Sequence, residues 1–265
     1  MLNLSQKLGL NNSKVVSSGG AAFTNIYSLA FDGVDDYVDM GDADVLTPNN
    51  SGANRGFSIS LWVKLPSNGQ RVLSKSNEFS GGSYHYEYDI KTDFAGRAKL
   101  TLYSSNSTSN NITLRIDTAL SFDTWHNVVF SWDLGITNTD LIGYVDGVRY
   151  SVADGNATWA IAGTFTTVTN TVNPLILAKL SAAYGQMFLD EVAIFDNITS
   201  DADATSIYNS GTPDNLNSMS YLLGWWRNGD TAGTSVYPTI TDDSSNSNDG
   251  TMTNMDSGDI VTDAP

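Results

Sequence analysis

Residues 28–44 read Ser28-Leu-Ala-Phe-Asp-Gly-Val-Asp-Asp-Tyr-Val-Asp-Met-Gly-Asp-Ala-Asp44. Two short apolar runs, residues 29–31 and 37–38, flank an acidic bend, Asp32-Gly-Val-Asp-Asp36. Gly33 tolerates the positive φ that a tight bend demands, and Asp carboxylates accept hydrogen bonds from turn backbone. The stretch predicts a strand, a carboxylate-rich turn and a second strand. Two strands alone are marginal in water, so the rest of the chain has to supply more to pack against them.

The downstream pattern does so. Phe57, Ile59, Leu61 and Val63 alternate with Ser58, Ser60 and Trp62, the period-2 signature of a half-buried strand. Residues 71–75 are expected to pair with it across the Pro66–Gly69 turn. Tyr84, Tyr86 and Tyr88 alternate with His85, Glu87 and Asp89. Further strands are expected at 99–103, 112–116, 125–133, 141–150, 159–168, 174–178, 185–195, 221–227 and 250–255. Asp146-Gly147, inside the 141–150 run, is a strong hairpin signal. One helix stands out: Thr199 or Ser200 caps it, Asp201 and Asp203 suit its N-terminal dipole, Ala204, Ile207 and Tyr208 form its stripe, and Gly211 ends it. Many short strands, one short helix and no βαβ rhythm predict an all-β, two-sheet antiparallel sandwich. Residues 1–27, broken by Asn11-Asn12-Ser13 and Ser17-Ser-Gly-Gly20, read as an N-terminal arm or linker.

Composition narrows the function. The chain has 265 residues, 29 acidic against 13 basic, and a formal net charge of −16. That balance argues against binding nucleic acid through its backbone. Only Glu78, Glu87 and Glu191 are glutamates, so the acidity is almost all Asp, which favours turns and oxygen-ligated cation sites. No cysteine is present, which removes disulfides and thiolate metal sites. No apolar run reaches membrane-spanning length and the N-terminus lacks a signal-peptide core, so a protein that stays in the producing cell, or leaves by another route, is expected.

Five stretches, in order, resemble the laminin G-like, concanavalin A-like jelly rolls: Leu29-Ala-Phe-Asp-Gly-Val-Asp-Asp-Tyr-Val38, Phe57-Ser-Ile-Ser-Leu-Trp-Val63, Trp125-His-Asn-Val-Val129, Tyr144-Val-Asp-Gly147 and Phe188-Leu-Asp-Glu-Val-Ala-Ile-Phe195. The tail, Tyr221-Leu-Leu-Gly-Trp-Trp-Arg227 followed by Asp242-Asp-Ser-Ser-Asn-Ser-Asn-Asp-Gly-Thr-Met252, resembles a segment that in such domains comes first. Either residues 219–265 complete a single domain over 28–265 in circularly permuted order, or they dock on a neighbouring copy. The first is favoured because sandwich termini often lie close together. The tail wording also resembles structural proteins of tailed bacteriophages from aquatic environments.

Family members often carry a structural Ca²⁺ where the first and last strands meet. The resemblance therefore implies a calcium site on Asp32, Asp35 and Asp36 of the bend, joined by Asp190, with carbonyls and water completing the shell. The same Asp residues also read as plain turn caps. Glycan binding needs exposed aromatic platforms; the candidates are Tyr84, Tyr86 and Tyr88 on one strand face and Trp159, although tyrosine stripes in sandwiches also build cores.

A retaining glucanase of this fold needs paired carboxylates on one strand, about 5 Å apart. Glu87-Tyr-Asp89 is followed by Lys91 at the next alternate position, and Asp190 and Glu191 should face opposite sides. His85 and His126 are too few for a zinc site and lack a nucleophile-elbow context. The expectation is a non-enzymatic virion surface protein, a capsid decoration or fibre component, with a lectin-like jelly roll that touches host-surface glycans. It would be made in the host cytoplasm and assemble with other virion proteins or with copies of itself, without membrane contact. A carbohydrate-binding module of a cellular protein, or a divergent glycan hydrolase or lyase, stands as the alternative.

Overall fold

The computed structural model describes residues 23–48, 55–78, 84–104, 108–230 and 237–265. Of the expected N-terminal arm, residues 1–22 lie outside the described residues. The acidic bend joins β1 (Ser28–Asp32) to β2 (Tyr37–Asp39). Six longer strands follow: β3 (Phe57–Lys64), β4 (Arg71–Glu78), β5 (Tyr84–Thr92), β6 (Arg97–Tyr103), β7 (Asn111–Ala119) and β8 (Trp125–Trp132). Then come β9 (Leu141–Val145), β10 (Val148–Tyr150), β11 (Ala157–Ala162), β12 (Ile176–Leu177), β13 (Lys179–Leu180), β14 (Ala183–Tyr184) and β15 (Gln186–Phe195). Helix α1 (Asp201–Tyr208) precedes β16 (Leu222–Trp226), β17 (Thr239–Ile240), β18 (Gly250–Thr253) and β19 (Ile260–Val261).

All the strands but β13 and β14, which pair with each other, form the two antiparallel sheets of a sandwich. One runs β10-β9-β8-β3-β15-β1-β19, with β16 also on β15; the other runs β11-β7-β6-β5-β4-β12-β2-β18-β17. Because β1 and β2 belong to different sheets, the acidic bend is where the chain crosses from one layer to the other. Gly33 makes the crossing at φ 78°, and a Cβ there would stand 2.9 Å from Gln186 Cβ. Between the layers Leu29, Val38, Ile59, Leu100, Leu114, Phe130, Leu189 and Trp226 are buried in one cluster.

The expected pairing of residues 71–75 with the 57–63 strand does not occur. β3 already has β15 and β8 on its two edges, so β4 crosses to the other sheet and pairs with β5 and β12. β3 is also buried on both faces: Ser58, Ser60 and Trp62 are as enclosed as Ile59 and Leu61. Helix α1 accounts for part of that cover, since the Tyr208 ring stacks on Trp62 with centroids 5.7 Å apart. The helix starts at a capping box, with Ser200 Oγ accepting from Asp203 N and Asp203 closing back on Ser200, and it ends at Asn209 in the left-handed region. The Asp146-Gly147 turn has φ of 53° and 74°, the two positive values that a two-residue hairpin turn requires.

The tail enters both layers. β1 opposes residues 186–189 of β15 and β16 opposes 192–195, so the two lie end to end along one edge of the same strand. Farther on, β18 pairs with β2 and β19 with β1.

Candidate functional site

The junction between β1 and β16 falls on Asp190 and Glu191, and there β15 is irregular. Against β3 the register moves from Asp190–Trp62 to Ala193–Ser60, three steps on one strand for two on the other. Glu191 has φ 47°, in the left-handed region that non-glycine residues avoid. This bulge breaks the alternation that would have put Asp190 and Glu191 on opposite faces; both carboxylates are buried, and they interact.

Segments running off both ends of the junction surround the pair. Asn25 Nδ2 donates to Asp190 Oδ2 at 2.9 Å, and Asp230 Oδ2 accepts the backbone N–H groups of Ile26 and Tyr27. Trp225 Nε1 donates to Glu191 Oε2 at 2.5 Å and Arg227 Nε to Oε1 at 3.2 Å. The Arg227 guanidinium lies against the rings of Phe23 and Trp225. Burial and the Glu191 charge hold the Asp190 carboxyl well above the carboxylate range, and burial pushes Glu191 up to about 7 against the pull of Arg227. Asn25 Oδ1 and both side-chain polar atoms of Asn228 are buried with no hydrogen-bond partner. Such atoms are costly to leave unmatched. Carboxylate and amide oxygens are the donor types that a hard divalent cation such as Ca²⁺ takes.

The structure does not bring Asp190 to the acidic bend. Asp32 opposes Gln186, so Asp190 lies four residues farther along β15, roughly 13 Å away at strand spacing. Asp32, Asp35 and Asp36 do cluster, with carboxylate oxygens within 4.8 Å of one another. Their oxygens serve the turn: Asp32 Oδ1 accepts from Val34 N and Asp35 N, and Asp36 Oδ2 accepts from Asp32 N. Burial, and then the charges of Asp32, Asp259 and Asp35, push Asp36 up to about 6. Among the described residues, no orphaned polar atom marks the bend.

The expected aromatic platform is not formed by the residues named for it. Tyr88 is fully buried against Phe57 and donates its hydroxyl to Leu46 O. Tyr86 is buried against Tyr103, with ring centroids 5.0 Å apart. Trp159 opposes Leu114 and packs on the core, turned inward by the strand register. The Tyr84 side chain lies outside the described residues. The bulge between Lys75 and Ser76 explains why Tyr86 and Tyr88 do not share a face: Lys75 opposes Tyr88 and Ser76 opposes Tyr86, leaving Glu87 extra.

The carboxylates on that strand are occupied. Glu87 is buried, paired with Lys75 Nζ at 3.0 Å and accepting from Thr47 and Thr171. Asp89 accepts the Tyr103 hydroxyl and pairs with Lys91. His126 Nε2 lies 2.7 Å from Ser121 Oγ and Nδ1 2.8 Å from Asp146 Oδ2, the connectivity of a hydrolase triad. However, the Ser121 N–H donates to the same Nε2, and Asp146 Oδ1 accepts Asn127 N. The set ties the loop before β8 to the β9–β10 hairpin, and its nucleophile N–H is not free for an oxyanion.

An exposed aromatic group does exist, in a place the sequence did not mark. Tyr221 is 48% exposed, at φ 66° just before β16. On one side is a depression of about 380 Å³ lined by Asn197, Asp203, Ser206, Ser218 and Ser220. On the other is one of about 460 Å³ lined by Arg55, Asp196, Asn217, Ser244 and Asn246. The Arg55 guanidinium lies 4.4 Å from the ring centroid and is fixed by Asp196 at 2.8 Å. The Tyr221 carbonyl accepts Asp196 N, which anchors the ring to the end of β15.

Fold and surface together define a lectin-like β-sandwich. A family model, Laminin_G_3, described as the concanavalin A-like lectin/glucanases superfamily, matches residues 32–205, and the chain belongs to this family. Among solved structures, a Bacteroides ovatus protein provisionally assigned to carbohydrate binding superposes with a TM-score of 0.57 at 12% identity, covering 91% of this chain and 62% of its own. The present chain thus spans less than two thirds of that protein. A SAP-like pentraxin from Limulus polyphemus gives 0.47 at 11% identity (69% and 82% covered). The CBM40 module of a Ruminococcus gnavus sialidase, bound to α2,3-sialyllactose, gives 0.46 at 13% (68% and 96% covered). No curated protein matches the sequence.

Proposed function

We propose that the protein is a non-enzymatic glycan-binding component of a virion surface, with Tyr221 as the platform on which a neutral sugar rests. The observation that carries the reading is the Tyr221 ring, exposed and braced by Arg55 between two depressions rich in hydroxyl and amide groups. Sugar hydroxyls need such donors and acceptors around an apolar face. The absence of catalysis is supported by the engagement of Glu87, Asp89 and Glu191 in structural bonds. The virion setting is supported by the wording of the tail, and it carries with it assembly with other virion proteins or copies of this chain. Asp190, Asn25, Asn228 and Asp230 would hold a structural Ca²⁺, whose charge would offset the buried acids.

An array of neutral glycans probed with the wild-type chain and with Tyr221→Ala tests the binding site. Binding that the substitution abolishes supports the reading; binding to no neutral glycan, or neutral-glycan binding indifferent to Tyr221, overturns it. Mass spectrometry of purified particles tests the virion setting, which fails if the chain occurs only in unassembled lysate.

A further inference from the structure

The outer face of the nine-stranded sheet carries a row of cations that none of the preceding roles uses. Arg71 opposes Lys91, Lys91 opposes Lys99, and Lys99 opposes Arg115, on the four adjacent strands β4 to β7. Their neighbours Val72, Ile90, Leu100 and Leu114 are buried in the core, so the row faces outward. It gathers four of the 13 basic residues of a chain whose net charge is −16.

Like charges directly opposite across strands destabilise a sheet. Two of the four are offset locally, Lys91 by Asp89 at 3.0 Å and Arg115 by Asp117 at 2.7 Å. The other two are not. The Arg71 guanidinium reaches the Gly69 carbonyl at 3.3 Å, and Lys99 makes no ion pair among the described residues. Burial lowers the Lys99 pKa, the flanking charges of Lys91 and Arg115 lower it further, and Asp89 and Asp93 pull the other way. Arg71, Lys91 and Lys99 line a depression of about 310 Å³ whose wall includes Phe94, a ring 91% exposed at the tip of the β5–β6 hairpin. The Asp93 carboxylate in the same depression is held by Arg97 at 2.6 Å.

We propose that this row binds an acidic glycan, with carboxylate or sulfate groups meeting Arg71 and Lys99 and a sugar face lying against Phe94. An exposed ring beside unneutralised cations offers both halves of a charged sugar a partner. Neighbouring strands are spaced about 4.8 Å apart, so the four cations extend over roughly 14 Å and suit a chain with repeated charges better than a single small anion. The site is separate from Tyr221 and stands without it.

The test is isothermal titration of the full chain with oligogalacturonate, heparin oligosaccharide and neutral dextran fragments, at low and moderate salt. Binding to an acidic probe and not to dextran, weakened by salt, is expected. Arg71→Gln with Lys99→Gln should weaken it about tenfold or more, since each removes a charge-assisted contact. Lys179→Gln, a cation outside the row, should leave it unchanged. Preference for one acidic probe keeps the proposal and identifies the charged group. Failure to bind either acidic probe, or binding indifferent to the double substitution while its melting temperature is preserved, overturns it. Dimerisation in sedimentation runs that the double substitution removes, without glycan binding, would assign the row to a second copy and overturn it as well.

Discussion

The indole N–H of Trp225 donates to Glu191 Oε2 at 2.5 Å, joining the tail strand β16 to the bulge of β15. Arg227 Nε reaches the other oxygen, so one carboxylate answers two buried donors from the tail. Glu191→Ala would leave the buried guanidinium only the longer contact with Asp243 at 3.8 Å, a loss of about 3 kcal/mol. Urea unfolding should show it as a lower midpoint with an unchanged slope; a change below 1 kcal/mol would mean that the tail is held by packing alone.

Calcium should act at Asp190 and not at the acidic bend. At a concentration 100-fold above its Kd, Ca²⁺ should stabilise the chain by about 2.7 kcal/mol. Thermal melting with calcium and with EDTA reads this directly. Asp190→Asn should abolish the calcium-dependent rise, whereas Asp32→Asn, which touches only an exposed turn carboxylate, should preserve it. The reverse pattern would return the site to the bend.

Asp36 gives a pH dependence of defined sign. Its carboxyl is pushed up to about 6 in the fold, against about 3.9 in an unfolded chain, so folding favours the protonated form. Its contribution is complete below about pH 4 and lost as the pH rises through 6. An amide at this position cannot ionise. Asp36→Asn should therefore gain on the wild type between pH 4 and 7, measured as the difference in melting temperature; a difference independent of pH would refute the burial argument.

The helix cap offers a smaller test. Ser200 Oγ accepts Asp203 N at 3.2 Å within the capping box, and Ser200→Ala should cost about 1 kcal/mol in chemical unfolding. A neutral substitution would mean that the Trp62–Tyr208 stack alone fixes the helix.

Much of the fold was legible because its signals are local. The period-2 run at Phe57, the Asp146-Gly147 turn and the Ser200 cap each act within a few residues, and each appears where the pattern put it. The candidate site was less legible because bulges shift the faces that alternation assigns. One extra residue in β5 turns Tyr86 away from Tyr88, and another in β15 buries Glu191 beside Asp190. The cation row depends on register among four strands, which no single window of sequence contains. Tyr221 looked like the first residue of a strand, and its exposure comes from a left-handed backbone at the entry to β16.

The central claim is that this sandwich holds sugars at Tyr221 without turning them over. The most direct measurement is an amide NMR titration of the isotope-labelled chain with the neutral glycan selected by the array, followed over hours. Shifts confined to residues around Tyr221, in the 196–206, 217–221 and 244–246 segments, with the ligand spectrum unchanged in time, are the predicted result. Shifts elsewhere in the fold, or the appearance of cleavage products, would contradict it.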